Sequence, residues 1–182
     1  MARLIYALIL GLVGAGIVHI AILLLIPYYS ERDAWALVSE AGPPYAVHQL
    51  RRDGPAAKAL VNADPMFEIA ACRFDLSDGS VHIFSESHVP FWSLSVFDRR
   101  GQNIFSLNDR TATGNILDVV VATPVQLIEL RKAMPPSYEN AVFVEADIAE
   151  GMIVLRSFVP DSSWLRLVER HLDGARCESG AG

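Results

Sequence analysis

The sequence predicts a mainly β protein: a β-sandwich or jelly-roll-like antiparallel sheet with a few short helices, preceded by one N-terminal transmembrane helix. Three observations carry that expectation. Residues 4–26 contain no charged side chain. Beyond residue 66 the chain breaks into short apolar runs separated by Gly, Asp, Asn and Pro turn signals. The 182 residues suit an anchor (1–29) and one β-rich domain (30–182).

The anchor comes first. As a helix, residues 4–26 would span roughly 34 Å, enough for a hydrocarbon core of about 30 Å. The run ends in Pro27-Tyr28-Tyr29, without an Ala-x-Ala site or a lipobox cysteine. An uncleaved anchor is therefore expected rather than a signal peptide, with Tyr28, Tyr29 and Trp35 at the outer interface. Arg3 and the amino terminus precede the span, whereas Glu31, Arg32 and Asp33 follow it. The positive-inside rule then gives a single-pass protein of a bacterial inner membrane, with a cytoplasmic N-terminus and a periplasmic C-terminal domain. All 21 acidic residues but only 14 of the 15 basic ones lie beyond residue 30, a net charge of −7 there. That excess argues against nucleic acid or anionic lipid as a partner of the domain. Ala7, Gly11 and Ala15 form a small-residue stripe that would allow helix–helix association in the membrane. Ordinary membrane-helix composition explains the stripe equally well.

Ser30 and Asp33 predict a separate capped helix to about residue 40, stopped by Gly42-Pro43-Pro44. A loop follows, with one helical turn around residues 57–61. Strands are then expected at 67–76, 81–84, 91–97, 104–107, 117–122, 141–146 and 152–159. Ser77-Asp78-Gly79 supplies a tight turn between the first two, and the Asp98–Asn103 segment makes a hairpin of the third and fourth. Thr123-Pro124-Val125-Gln126 predicts a capping box that opens a helix. Asp161 should cap another, carrying Trp164, Leu165, Leu167 and Val168, with Gly174 as its stop. Two cysteines, Cys72 on a strand and Cys177 past the last helix, predict a structural disulfide in an oxidising compartment, the alternative being two free thiols.

Asn62-Ala63-Asp64-Pro65-Met66-Phe67, Cys72-Arg73-Phe74-Asp75-Leu76, the segment from Trp92 to Asp98, Gly101-Gln102-Asn103 and Ser106-Leu107-Asn108-Asp109-Arg110 form an ordered string ending in Cys177. In that order they resemble the domain-of-unknown-function 1254 family, in its short, membrane-anchored bacterial branch. Pro65, Met66 and Phe67 stand where the longer family motif has Asp-Thr-Leu-Tyr in part, so a polar role there does not carry over. The resemblance implies a largely β fold and no known catalytic residue. It also implies a companion membrane protein carrying the 1214-family domain that follows in longer members.

The candidate binding or interaction residues are Asp98, Arg99, Asn103, Asn108, Asp109 and Arg110, gathered near strand ends if the hairpin forms. Arg99 and Arg110 could clamp a carboxylate or phosphate; turn chemistry and local ion pairing with Asp98 and Asp109 is the plainer account. His82, Glu86 and His88 share strand parity, but the segment from Ser85 to Pro90 reads as a connection, so no metal site is expected. Neither a cofactor nor a catalytic residue is expected, since no local motif for either occurs. A triad of distant residues would leave no such trace. Trp92, Phe97 and Phe105 are expected in the core. The leading expectation is a non-catalytic envelope binding module working with a companion; the alternative is an enzyme on a small envelope substrate.

Overall fold

The computed structural model describes residues 2–51, 53–54 and 64–180, with only the helical backbone for 27–33. The expectations for the side chains of Tyr28 and Tyr29, the helical turn at 57–61 and the Asn62-Ala63 pair fall outside the described residues. Among the described residues, nine strands form two sheets. Sheet A has the order β1 (His48–Gln49), β2 (Phe67–Asp75), β8 (Glu150–Phe158), β4 (Trp92–Asp98), β5 (Asn103–Asn108). Sheet B has the order β7 (Val142–Glu145), β6 (Leu117–Ala122), β3 (Val81–Ser85), β9 (Arg176–Ser179). The helices are α1 (Ala2–Ala41), α2 (Pro124–Lys132) and α3 (Leu165–Gly174).

Alternation explains how the sheets face each other. On β4, Trp92, Leu94 and Val96 are buried while Ser93, Ser95 and Phe97 are half-buried. Cys72 and Phe74 of β2, Ile83 of β3, Leu117 and Val119 of β6 and Ile153 of β8 join them in one core between the sheets. Val168 and Leu172 of α3 complete it. The protein is mainly β, as expected, with three differences from the expected strand plan. First, β6 and β7 run parallel, with Val119 opposite Val142. A parallel neighbour needs a crossover, and α2 is that crossover. Its expected capping box is present: the Thr123 side chain accepts from Gln126 N while Gln126 caps Thr123 N. Second, Ser77-Asp78-Gly79 is no hairpin turn. The chain leaves sheet A at Asp75 and enters sheet B at Val81. Gly79 (φ 132°) lies against the Gly180 carbonyl, where a Cβ would collide. Third, the segment past the last helix is itself a strand, β9, paired with β3.

Both helix-start assignments in the charged regions need correction. No cap interrupts the chain at Ser30; α1 is one helix of 40 residues. Its Ala2–Ile26 portion is long and apolar enough to cross a membrane, and none of it is buried in the domain. The far end packs instead on the outer face of sheet A, where Ala34, Trp35, Leu37 and Val38 meet Ala71, Met152, Phe97 and Val154. Trp35 therefore does not stand free at an interface: its ring lies 5.7 Å from the Arg73 guanidinium and 5.5 Å from that of Arg99. Asp161 does not cap α3 directly. Its carboxylate accepts from Ser163 N and Oγ in the turn before the helix, and those bonds hold its pKa below the usual carboxylate value.

Cys72 and Cys177 form the expected disulfide, with Cα atoms 6.5 Å apart. It joins β2 of sheet A to β9 of sheet B across the core, closing a separation of 105 residues. Replacing both cysteines with alanine should lower unfolding free energy by up to about 4–5 kcal/mol, measured by denaturant titration in non-reducing buffer. A loss below about 1 kcal/mol would show that packing alone holds the sheets together.

Candidate functional site

The β4–β5 hairpin forms in the expected place, with Ser93 opposite Asn108 and Leu94 opposite Leu107. It does not gather the six candidate residues. Asp98, Arg99 and Asn103 lie at one end of β5 and Asn108, Asp109 and Arg110 at the other. Six residues at about 3.4 Å each separate them by roughly 17–20 Å.

Within the first group Arg99 takes part in the docking of α1, and its two companions make local contacts. Asp98 is buried, and its Oδ1 accepts from Arg100 N and Gln102 N, both at 2.8 Å. With Gly101 at φ 79°, that carboxylate shapes the turn. Arg99 pairs with Glu150 of β8, not with Asp98, and also lies against Trp35. Asn103 Nδ2 donates to Ser106 Oγ within its own strand.

The second group stands beside an aromatic cluster that sequence reasoning did not single out. Asn108 Oδ1 accepts from Arg110 N and Thr111 N, turning the chain after β5. Asp109 N donates to Trp92 O, and Asp109 Oδ2 accepts from Phe91 N. These contacts and the Phe158 N to Phe91 O bond hold Phe91 at φ 61°. A bulky residue in the left-handed region is costly and is kept only where the surroundings impose it. The side chain remains 49% exposed. Phe158 lies 6.1 Å from it edge-on and 5.4 Å from Phe67, and Arg156 covers the Phe67 ring at 4.7 Å. Together with Arg110 these rings border a shallow depression of about 370 Å³. The Arg110 guanidinium pairs with no carboxylate among the described residues, whereas Asp109 serves the backbone. The only signal in the sequence was the Pro90-Phe91 pair before a strand, which does not report a positive φ. Trp92 is core as expected, whereas Phe97 and Phe105 are only partly buried.

His82 is buried in β3 and bonded to Asp118; Glu86 and His88 lie in the connection beyond, and no metal-holding group occurs among the described residues. His171 of α3 is wholly buried beside Ser85 and Ser87. Its Nδ1 donates to the Ser87 carbonyl at 2.9 Å, so that nitrogen has no lone pair with which to activate the Ser87 hydroxyl 3.1 Å away. A serine–histidine nucleophile is not assembled here.

No protein-family model matches the chain, and no curated protein matches it. Solved structures similar to this chain include two of low sequence identity. The VPA0106 protein from Vibrio parahaemolyticus matches with a TM-score of 0.60 at 11% identity, over 83% of this chain and 35% of that one. An uncharacterized protein from Burkholderia cenocepacia matches with a TM-score of 0.40 at 11% identity, over 76% of this chain and 38% of that one. The first likeness establishes a shared fold. This chain corresponds to little more than a third of either neighbour's length.

Burial pushes the His171 pKa down, outweighing its backbone hydrogen bond. The unfolded chain takes up a proton there at higher pH than the folded chain does. Stability should therefore fall as pH drops through about 6.5, the ordinary histidine value. Chemical denaturation at pH 7.5 and 5.5 measures the loss. The loss should shrink in His171→Gln, and an unchanged pH dependence in that variant would remove His171 as its source.

Proposed function

We propose that the protein is a membrane-tethered, non-catalytic binding module whose domain stands outside the cytoplasm and docks a companion through the Phe91–Arg110 end of sheet A. The observation that carries this reading is Phe91, an exposed aromatic held in a costly backbone conformation beside an unpaired arginine. Interface anchors are enriched in aromatic residues and arginine, and such a residue in a rim of neutral contacts can supply 2 kcal/mol or more. Met66 and Ile116 are further exposed apolar side chains, 41% and 42% accessible. The disulfide favours a location outside the cytoplasm, and the charges flanking residues 4–26 favour the same orientation. The longer chain in which the Vibrio protein holds this fold supports a companion that supplies the remainder.

Two measurements test the two halves of the proposal. A reporter active only outside the cytoplasm, fused after Gly182, should be active, and a cytoplasmic reporter silent; the reverse would overturn the orientation. For docking, Phe91→Gly relieves the left-handed strain and should leave the melting temperature unchanged or raise it. Phe91→Gly and Arg110→Ala should each cut co-purification of the companion in mild detergent at least tenfold, equivalent to about 1.4 kcal/mol. Unaltered capture by both variants at native stability would remove this end of the sheet from the interface.

A further inference from the structure

The outer face of sheet B, opposite the side on which α1 docks, carries a second and chemically different site. His82 and Phe84 of β3, Asp118 of β6, Glu178 of β9 and Tyr138 border a cleft of about 270 Å³. His82 Nε2 lies 2.8 Å from Asp118 Oδ1, and the His82 side chain is 8% exposed. Its ring stacks on Phe84 at 4.6 Å and meets the Tyr138 ring edge-on at 4.7 Å. In neutral imidazole the carboxylate holds the ring proton on Nε2, so Nδ1 keeps a lone pair. Nδ1 has no hydrogen-bond partner among the described residues, whose bonds to His82 stop at Asp118.

Tyr138 is the independent observation. It is 93% buried, yet its hydroxyl makes no hydrogen bond among the described residues while the side chain lines the cleft. Gly180 leaves that hydroxyl its space: a Cβ there would lie against both Tyr138 Oη and Ser80 Oγ. Neither the Tyr138 hydroxyl nor His82 Nδ1 is sealed from solvent, so on these two largely buried side chains the unpartnered polar atoms remain open to a ligand in a concavity with aromatic walls. The register places Glu178 directly opposite His82. The cleft thus offers acceptors, namely His82 Nδ1, the Asp118 and Glu178 carboxylates and Tyr138 Oη, and no lysine or arginine lines it. An anion would meet two carboxylates in the cleft, while Arg176, a cation on this face, stands opposite Phe84 in the adjoining depression. An ammonium group would find charge-assisted hydrogen bonds and two ring faces for cation–π contact.

We propose that this cleft binds a small primary-ammonium ligand. The site is separate from the Phe91–Arg110 end and does not depend on the docking role given to it. The test is ligand-observed saturation-transfer NMR on the full chain in detergent micelles, with putrescine as probe and glucose and inorganic phosphate as comparisons. Putrescine should bind, and glucose and phosphate should not. Asp118→Asn and Glu178→Gln should each weaken putrescine at least fivefold, and Tyr138→Phe, which keeps the ring and the packing, two- to threefold. Asp147→Asn removes an equal charge outside the cleft and should change nothing. The proposal fails if putrescine does not bind. It also fails if glucose or phosphate binds as well as putrescine. Equal weakening by Asp147→Asn would mean attraction to the acidic surface alone and would overturn it. If Asp118→Asn proves unstable, Glu178→Gln and Tyr138→Phe decide: unchanged affinity in both at native melting temperature refutes the site.

Discussion

Trp35, held between the guanidiniums of Arg73 and Arg99, is the contact on which the arrangement of the molecule depends. An apolar helix and a β-sandwich have no intrinsic reason to keep a fixed relation. Here they do, because α1 continues unbroken past its apolar portion and lays its last turns on sheet A. Trp35 is nine residues beyond Ile26, so about 14 Å of helix separates the apolar segment from the sheet. Glu150 completes the contact by pairing with Arg99, and Arg73 also donates to the Gly42 carbonyl where α1 ends. The contact pairs Arg99 with a carboxylate and Arg73 with a carbonyl and a ring face, while Arg73 Nε stays without a partner among the described residues, and it covers Ala71, Met152 and Phe97. A flexible linker would have left that apolar face open to water.

The consequence runs along the hairpin. The β4–β5 turn at Asp98–Asn103 is committed to the helix, which leaves the other end of the same two strands as the part of sheet A free to meet something else. Polar residues alike in sequence therefore have unlike roles. Asp98 and Asn108 both shape turns by accepting backbone N–H groups. Arg99 is consumed by Glu150 and Trp35, whereas Arg110 has no such partner among the described residues. Turn chemistry and internal pairing thus account for the carboxylates, the amides and Arg99, and leave the Arg110 guanidinium as the one group of the six that neither employs among the described residues.

What the sequence made legible was local. The Thr123 capping box, the strand at 117–122, the alternation of β4 and the Asp98 turn each rest on contacts within a few residues. The disulfide was legible as well, since two cysteines leave one pairing. What escaped was non-local. Strand β9 buries only Cys177 among Arg176, Cys177, Glu178 and Ser179, so no apolar pattern marks it; its partner β3 creates it. The Ser30 and Asp33 cap failed because a helix already in progress has no orphan N–H groups for a cap to satisfy. The parallel β6–β7 pair is set by the length of α2 and its loops rather than by either strand.

The same distinction explains why neither candidate site could be read from spacing. Phe67, Phe91 and Phe158 are scattered through the sequence and meet because β2 pairs with β8 and the Phe158 amide bonds the Phe91 carbonyl. His82, Asp118 and Glu178 meet because β3 lies between β6 and β9 in sheet B. In a two-sheet protein the inner faces are consumed by the core, so chemistry that must reach solvent falls to outer faces and strand ends. Sheet A gives most of its outer face to α1 and keeps one end; sheet B carries no long helix there and keeps a cleft. The disulfide locks the two sheets together through β9, the strand that supplies Glu178. Reduction should therefore reach the cleft before it reaches the aromatic end, because β9 is an edge strand held on one side only by β3. The inter-sheet bond is in that sense part of the cleft's construction as well as of the fold.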